Sequence, residues 1–158
     1  MTILNIAQRG EAILTLVTAP VVEAEFSSPW LIGLIDALQD TMLAYNGVGI
    51  AAPQCYVSKR LIIVASRPSV RYPEAPEMQP IVMVNPEIVA LSEQMLSGEE
   101  GCLSVENERG QVLRAETVTV LFYSVEGQPT ELTLSGFPAR IVQHEIDHLN
   151  GVLFVDRL

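Results

Sequence analysis

Histidine is nearly missing from this chain, which holds only His144 and His148. Cysteine is as scarce, with Cys55 and Cys102 alone. At 158 residues the chain can bury a core of its own, so it needs no disulfide staple. Both thiols are expected to be reduced. Basic residues are few as well: 9 Lys and Arg face 19 Asp and Glu, a formal net charge of −10. Such a field repels phosphate, which argues against nucleic acid or an anionic membrane as a direct partner. No apolar run reaches the roughly 18 residues that a membrane span needs. The opening stretch MTILNIAQRGEAILTL lacks a basic leader, a continuous apolar core and a small-residue cleavage site. The expected location is therefore the cytoplasm. There is no internal repeat and no low-complexity tract.

What remains is the composition of a compact globular protein, 49% hydrophobic and 18% charged. One domain spanning residues 1–158 is expected. Trp30 to Tyr45 carries apolar residues at helical spacing, and Ser27, Ser28 and Pro29 form a suitable start. Trp30 and the apolar residues of that helix read as core, as does Cys55. Asn46-Gly47 ends the helix, and a glycine-rich stretch, GVGIAAPQ, follows from Gly47 to Gln54. Arg60 to Ala65 reads as a buried strand. Ile81 to Val84 reads as a second, stopped by Asn85-Pro86. Arg67 to Pro80 lies between them with four prolines and reads as an exposed excursion. Thr117 to Ser124 and Thr130 to Ser135 alternate around Glu126-Gly127, which predicts a hairpin. Phe137 to Asn150 is predicted to be a helix, with Pro138 in its first turn and Gly151 just past its end. The expected class is α+β: antiparallel sheets packed around a C-terminal helix, with one N-terminal helix.

That last helix carries the strongest chemical signal, His144-Glu145-Ile146-Asp147-His148. Histidines at i and i+4 lie one turn apart on one face, so their imidazoles can converge on one ion. Glu145 sits about 100° around the helix from His144. It can lean over an open coordination position without being a ligand. HExxH also arises by chance on amphipathic helices. Here, however, the two histidines are the only ones in the chain, and Ile141, Val142, Ile146 and Leu149 mark the helix as partly buried. Buried imidazoles need polar partners, and a metal supplies one. A catalytic site of this kind uses three protein ligands, so a carboxylate or a cysteine must complete it. Cys102 stands out within Glu100-Gly101-Cys102-Leu103-Ser104, although taken alone it reads as a small buried core residue.

Taken together, GVGIAAPQ (Gly47 to Gln54), EGCLS (Glu100 to Ser104) and QHEIDH (Gln143 to His148) resemble, in order and spacing, the three signature motifs of the peptide deformylase family. Weaker similarity runs through VMVNPEI, ERGQVLR and LNGVLF. The resemblance implies a metal-dependent hydrolase that removes the N-formyl group from the initiator methionine of nascent chains and releases formate. It implies Cys102, His144 and His148 as ligands and Glu145 as the general acid/base. Gln54 and the backbone N–H of Leu103 would form the oxyanion site. Fe2+ is the expected metal, with Zn2+, Ni2+ or Co2+ as substitutes; a Cys-His-His set suits a transition metal better than Mg2+ or Ca2+. An extended peptide is expected beside Val48, Gly49 and Ile50. Glu100, Arg140 and Ile141 are candidates for lining the methionine pocket, with Phe137 at its border. Ile141 and Phe137 are equally at home in a core, and Glu100 could instead brace the Cys102 loop or lie exposed. Asp147 could orient a ligand, pair with Arg109 or Arg114, or simply cap or solvate the helix.

The chain departs from the family pattern at Glu106 and Leu113, where prolines are usual, and at RGEAIL near its start. None of these touches the expected ligands, base or oxyanion groups. Two alternatives stay open: a divergent paralogue acting on other formylated peptides, and a non-catalytic metal-binding paralogue. A purely structural site needs no base and is closed by four protein ligands, which weighs against the latter. Many bacterial relatives continue beyond the equivalent of Leu158 with a basic helix that docks on the ribosome. With a net charge of −10, this chain is expected to associate with ribosomes only weakly. Co-sedimentation with ribosomes at physiological salt should recover less of it than of a relative bearing the extension; equal recovery would contradict the expectation.

Overall fold

The computed structural model describes residues 1–158. Helix α1, Pro29–Ala44, starts where the Ser28 side chain accepts from the Leu31 N–H and Pro29 takes the first turn. It stops before Asn46, whose φ of 58° lies in the left-handed region that asparagine tolerates. Leu31, Ile35, Leu38 and Met42 form its buried stripe. Trp30 does not belong to that stripe. At the first turn it is 43% exposed, and Ile32 and Leu43 are exposed as well, contrary to the core role expected for all three.

Five strands form one antiparallel sheet in the order β1 (Gly49–Ala51), β2 (Leu61–Val64), β3 (Ile81–Leu91), β6 (Thr117–Tyr123) and β7 (Pro129–Ser135). Strand β2 is apolar throughout because it is covered on both faces. Ile62 and Val64 pack towards the second helix, α2 (Gly136–Leu149), while Leu61 and Ile63 pack towards α1. Strand β6 alternates instead, with Val118, Val120 and Phe122 buried against α2. The β6–β7 hairpin forms as the alternation predicts, with Gly127 at φ 87° in its turn.

Three elements differ from the sequence reading. Strand β3 does not stop at Asn85-Pro86. It continues to Leu91 through a bulge there, with Asn85 at φ 50° and the Asn85 side chain bonded to both backbone groups of Val21. Part of the GVGIAAPQ stretch is strand β1, followed by a 3-10 turn over Ala52–Cys55. Strands β4 (Met95–Cys102) and β5 (Val105–Ala115) form a separate two-stranded ribbon that was not anticipated. It packs along α2 from Arg140 to His148, and its inner residues Cys102, Val105 and Val112 share a small core with Leu14 and Phe154.

Asn150 caps the C-terminal end of helix α2, and Gly151 follows at φ 76°. A Cβ at Gly151 would lie 2.5 Å from the Thr15 carbonyl oxygen. Gly151→Ala therefore combines a left-handed backbone penalty of about 1–2 kcal/mol with a backbone clash. Urea unfolding should show a lower midpoint at an unchanged slope, and an unaltered midpoint would rule this out.

Candidate metal centre and active site

Helix α2 presents His144 and His148 one turn apart, and the end of β4 brings Cys102 to the same face. One ligand atom from each residue lies within 4.8 Å of the others, and all three side chains are buried. Cys102 Sγ is 3.3 Å from His148 Nε2. The two imidazole planes cross at 71° with centroids 5.2 Å apart, so the rings converge without stacking. His144 Nδ1 meets Glu100 Oε1 at 2.8 Å, which leaves Nε2 to face the sulfur and the cleft. Burial disfavours a thiolate, but the His148 and His144 imidazoles outweigh it and hold the Cys102 thiol well below its usual range. Burial likewise favours a neutral His144 ring, yet Cys102, Glu100 and Glu145 outweigh it and raise its pKa. A cation held by these atoms would bind the thiolate and the neutral rings, displacing the protons that the rings otherwise retain.

Glu145 lies on the same turn, buried, with Oε1 lacking any protein partner. Burial pushes its carboxyl up to about 7, although the two imidazoles pull the other way. A carboxylate with a pKa near neutral can both take and return a proton at physiological pH. The backbone of β1 passes directly over it. A Cβ on Gly49 would stand 2.7 Å from Glu145 Oε2 and 2.7 Å from the Ile141 side chain. Only glycine permits this approach.

Behind the histidines lies a buried ion network. Glu100 is 2% exposed, not a solvent-facing carboxylate. It receives Arg114 in a two-pronged pair at 2.9 Å and 2.9 Å, and Arg140 at 2.7 Å. Burial would raise its pKa, but Arg114 and His144 outweigh that and hold it ionised far below the usual carboxylate range. Arg114 reaches on to Asp147 at 2.6 Å, and Asp147 also receives Arg157 at 2.5 Å and 2.8 Å. Of the two partners expected for Asp147, Arg114 is the one it meets. Arg109 instead pairs with Glu99 at 3.3 Å. Arg157 had no sequence signal, because the closing 3-10 turn Phe154–Arg157 brings it back onto α2. Removing one partner from a buried pair of this kind costs about 3–5 kcal/mol, so the network fixes the ring of His144 firmly.

In front of the histidines lies a cleft of about 470 Å³, counted out to its open mouth. Val48, Gly49, Gln54, Glu100, Cys102, Leu103, Arg140, Ile141, His144 and Glu145 all line it, together with Phe137. Ile50 does not; its side chain is fully buried in the core beneath α1. Arg140 borders the cleft, but its guanidinium is held by Glu100, Val112 O and Leu96 O. Gln54 is 2% exposed: its Oε1 accepts from Ala51 N–H at 2.9 Å, and its Nε2 donates to Ser104 Oγ at 3.1 Å beside Cys102 Sγ at 3.6 Å.

Sequence reasoning missed Tyr72. It sits in the proline-rich segment, where no periodicity marks a side chain as inward-facing. Its hydroxyl accepts from Gly101 N–H at 3.0 Å, its ring lies 4.7 Å from that of Phe137, and Arg109 covers its other side at 4.9 Å. The proline-rich excursion is largely exposed, as expected, but through Arg71 and Tyr72 it also borders the cleft. Cys55, as expected, is buried and remote, its thiol pushed up to about 11 by burial.

These residues fit a metal. The donors are two imidazoles and one sulfur poised as thiolate, a set that suits a transition ion, and the orphaned Glu145 oxygen lies beside it. Comparison with known proteins agrees. The model of the family described as polypeptide deformylase matches residues 3–158. Peptide deformylase 2 of Shewanella oneidensis is 45% identical over 154 residues, covering 98% of this chain and 83% of that protein. Peptide deformylase 2 of Nostoc sp. is 54% identical over 125 residues, covering 79% of this chain and 70% of that protein. The Met-Ala-Ser-bound crystal structure of a class I type b peptide deformylase from Acinetobacter baumannii superimposes with a TM-score of 0.98 at 61% identity, covering 99% of each chain. The chain belongs to the polypeptide deformylase family.

Proposed function

We propose that this chain is a single deformylase catalytic domain that removes the N-formyl group from the initiator methionine of nascent polypeptides, releasing formate. The observation that carries the reading is the convergence of Cys102, His144 and His148 within 4.8 Å beside a buried, unpartnered Glu145. Fe2+ is the proposed resident ion in the cell, with Zn2+, Ni2+ or Co2+ able to replace it. When bound, such an ion supplies Lewis acidity, lowering the pKa of water towards about 7 and polarising the formyl oxygen.

The chain's own residues do the rest. Glu145 takes a proton from the attacking water and returns it to the departing amine, so the formyl carbon gains an oxygen as its bond to nitrogen breaks. Gln54 Nε2, beside Cys102 Sγ, can turn one N–H towards the oxygen on which charge develops, with the Leu103 N–H as second donor. Its Oε1 is fixed by Ala51 N–H, which keeps the amide from flipping. Glu100 holds His144 in register. The peptide main chain runs past Val48 and Gly49, where the absence of a side chain at Gly49 brings it close to Glu145. Phe137, Ile141 and Tyr72 enclose an apolar side chain the size of methionine. No helix is long and apolar enough to cross a membrane. We place the enzyme in the cytoplasm, acting on formylated chains without binding nucleic acid or membrane directly.

Formate release from a formyl-methionyl peptide by anaerobically purified, metal-loaded protein tests the proposal. Glu145→Ala should keep its metal and lower kcat by a factor of about 100 or more, as loss of general acid–base catalysis requires. A variant with near-native turnover would show that another group moves the proton.

A further inference from the structure

Eight of the nine basic side chains are engaged within the protein, by carboxylates or by carbonyl and hydroxyl oxygens; Arg71 alone makes no side-chain hydrogen bond or ion pair. In a chain of net charge −10, a free arginine has an ample choice of carboxylates. Its position is also fixed. The Arg71 carbonyl accepts from Arg109 Nη2 at 3.4 Å, and the next residue, Tyr72, is anchored on Gly101 and Phe137. The segment therefore holds an unneutralised guanidinium at the rim of the active-site cleft.

Beyond that rim lies a second groove, lined in part by Gln8, Tyr45, Tyr56 and Glu106. Only Arg71 and Leu103 border both the groove and the cleft. A peptide whose formyl end lies beside Glu145 and whose methionine faces Phe137 must leave the cleft at its mouth. The continuation of the cavity past Leu103 takes it by Arg71 first and Glu106 later. The carboxylates nearer the reaction are already committed: Glu100 to two arginines, and Glu145 to proton transfer.

We infer that Arg71 is a specificity-determining residue that favours an acidic side chain at the second or third position of the substrate, downstream of the formyl-methionine. This rests on the deformylase reading of the site. The contact is solvent-exposed, so its effect is modest and falls with salt. It is made equally in the bound substrate and in the transition state, so it acts on KM and leaves kcat alone.

The test compares kcat/KM, by formate release, for formyl-Met-Glu-Ser-amide, formyl-Met-Gln-Ser-amide and formyl-Met-Lys-Ser-amide, and for the same substitutions one position further on. The blocked C-terminus removes the competing carboxylate. The native enzyme should favour Glu over Gln about fivefold at low salt, roughly the worth of an exposed ion pair, at one of the two positions. Arg71→Lys should keep the preference, Arg71→Ala should bring the ratio to about 1, and Arg71→Glu should turn it towards Lys. The same Glu-to-Gln ratio in the native enzyme and Arg71→Ala would overturn the inference, as would no preference in the native enzyme. Absence of formate from the Gln peptide would instead overturn the deformylase reading itself, and this inference with it.

Discussion

One thiolate and two imidazoles must meet in a space a few ångströms wide, and they come from parts of the chain that do not form one sheet. The histidines ride on α2, which is held by the five-stranded sheet. The sulfur is at the end of β4, in the separate ribbon. Glu100 joins these parts, because its carboxylate sits on the ribbon and grips His144 on the helix. Such a charge is tolerable away from water only because Arg114 and Arg140 neutralise it. Arg114 then carries the connection back to the helix at Asp147. The candidate site is thus braced by a closed circuit of paired charges linking ribbon to helix.

The same circuit explains which parts of the site the sequence disclosed. The HExxH pattern is legible because helical periodicity alone puts both histidines on one face. Cys102 and Gln54 become legible only through resemblance, since their neighbours in space come from strands far away in sequence. Glu100 could be read as brace, pocket wall or surface carboxylate, because an acidic residue in a short glycine-flanked segment carries no periodicity to decide its exposure. Arg157 was silent, and so were Arg71 and Tyr72. Proline interrupts any regular pattern across 67–80, although two aromatic and cationic residues there shape the cleft.

Fold elements follow a similar logic. Helices α1 and α2 carry caps and apolar stripes that need only local sequence, and both form where expected. Strand β2 was readable as a continuous apolar run because it is covered on both faces. The β4–β5 ribbon was not, because few of its side chains are buried, Glu100 and Arg114 among them, and it is rich in glycine and charge. The full length of strand β3 is not legible, since Asn85-Pro86 ordinarily ends a strand. In the fold, a bulge absorbs the pair and Val21 satisfies the asparagine side chain.

The central claim concerns what surrounds the ion. X-ray absorption at the metal edge of the anaerobically prepared protein measures this without reference to turnover. The account predicts one sulfur at about 2.3 Å, two imidazole nitrogens at about 2.0–2.1 Å and a remaining light-atom position open to solvent. A shell without sulfur, or one filled by four protein ligands, would contradict it.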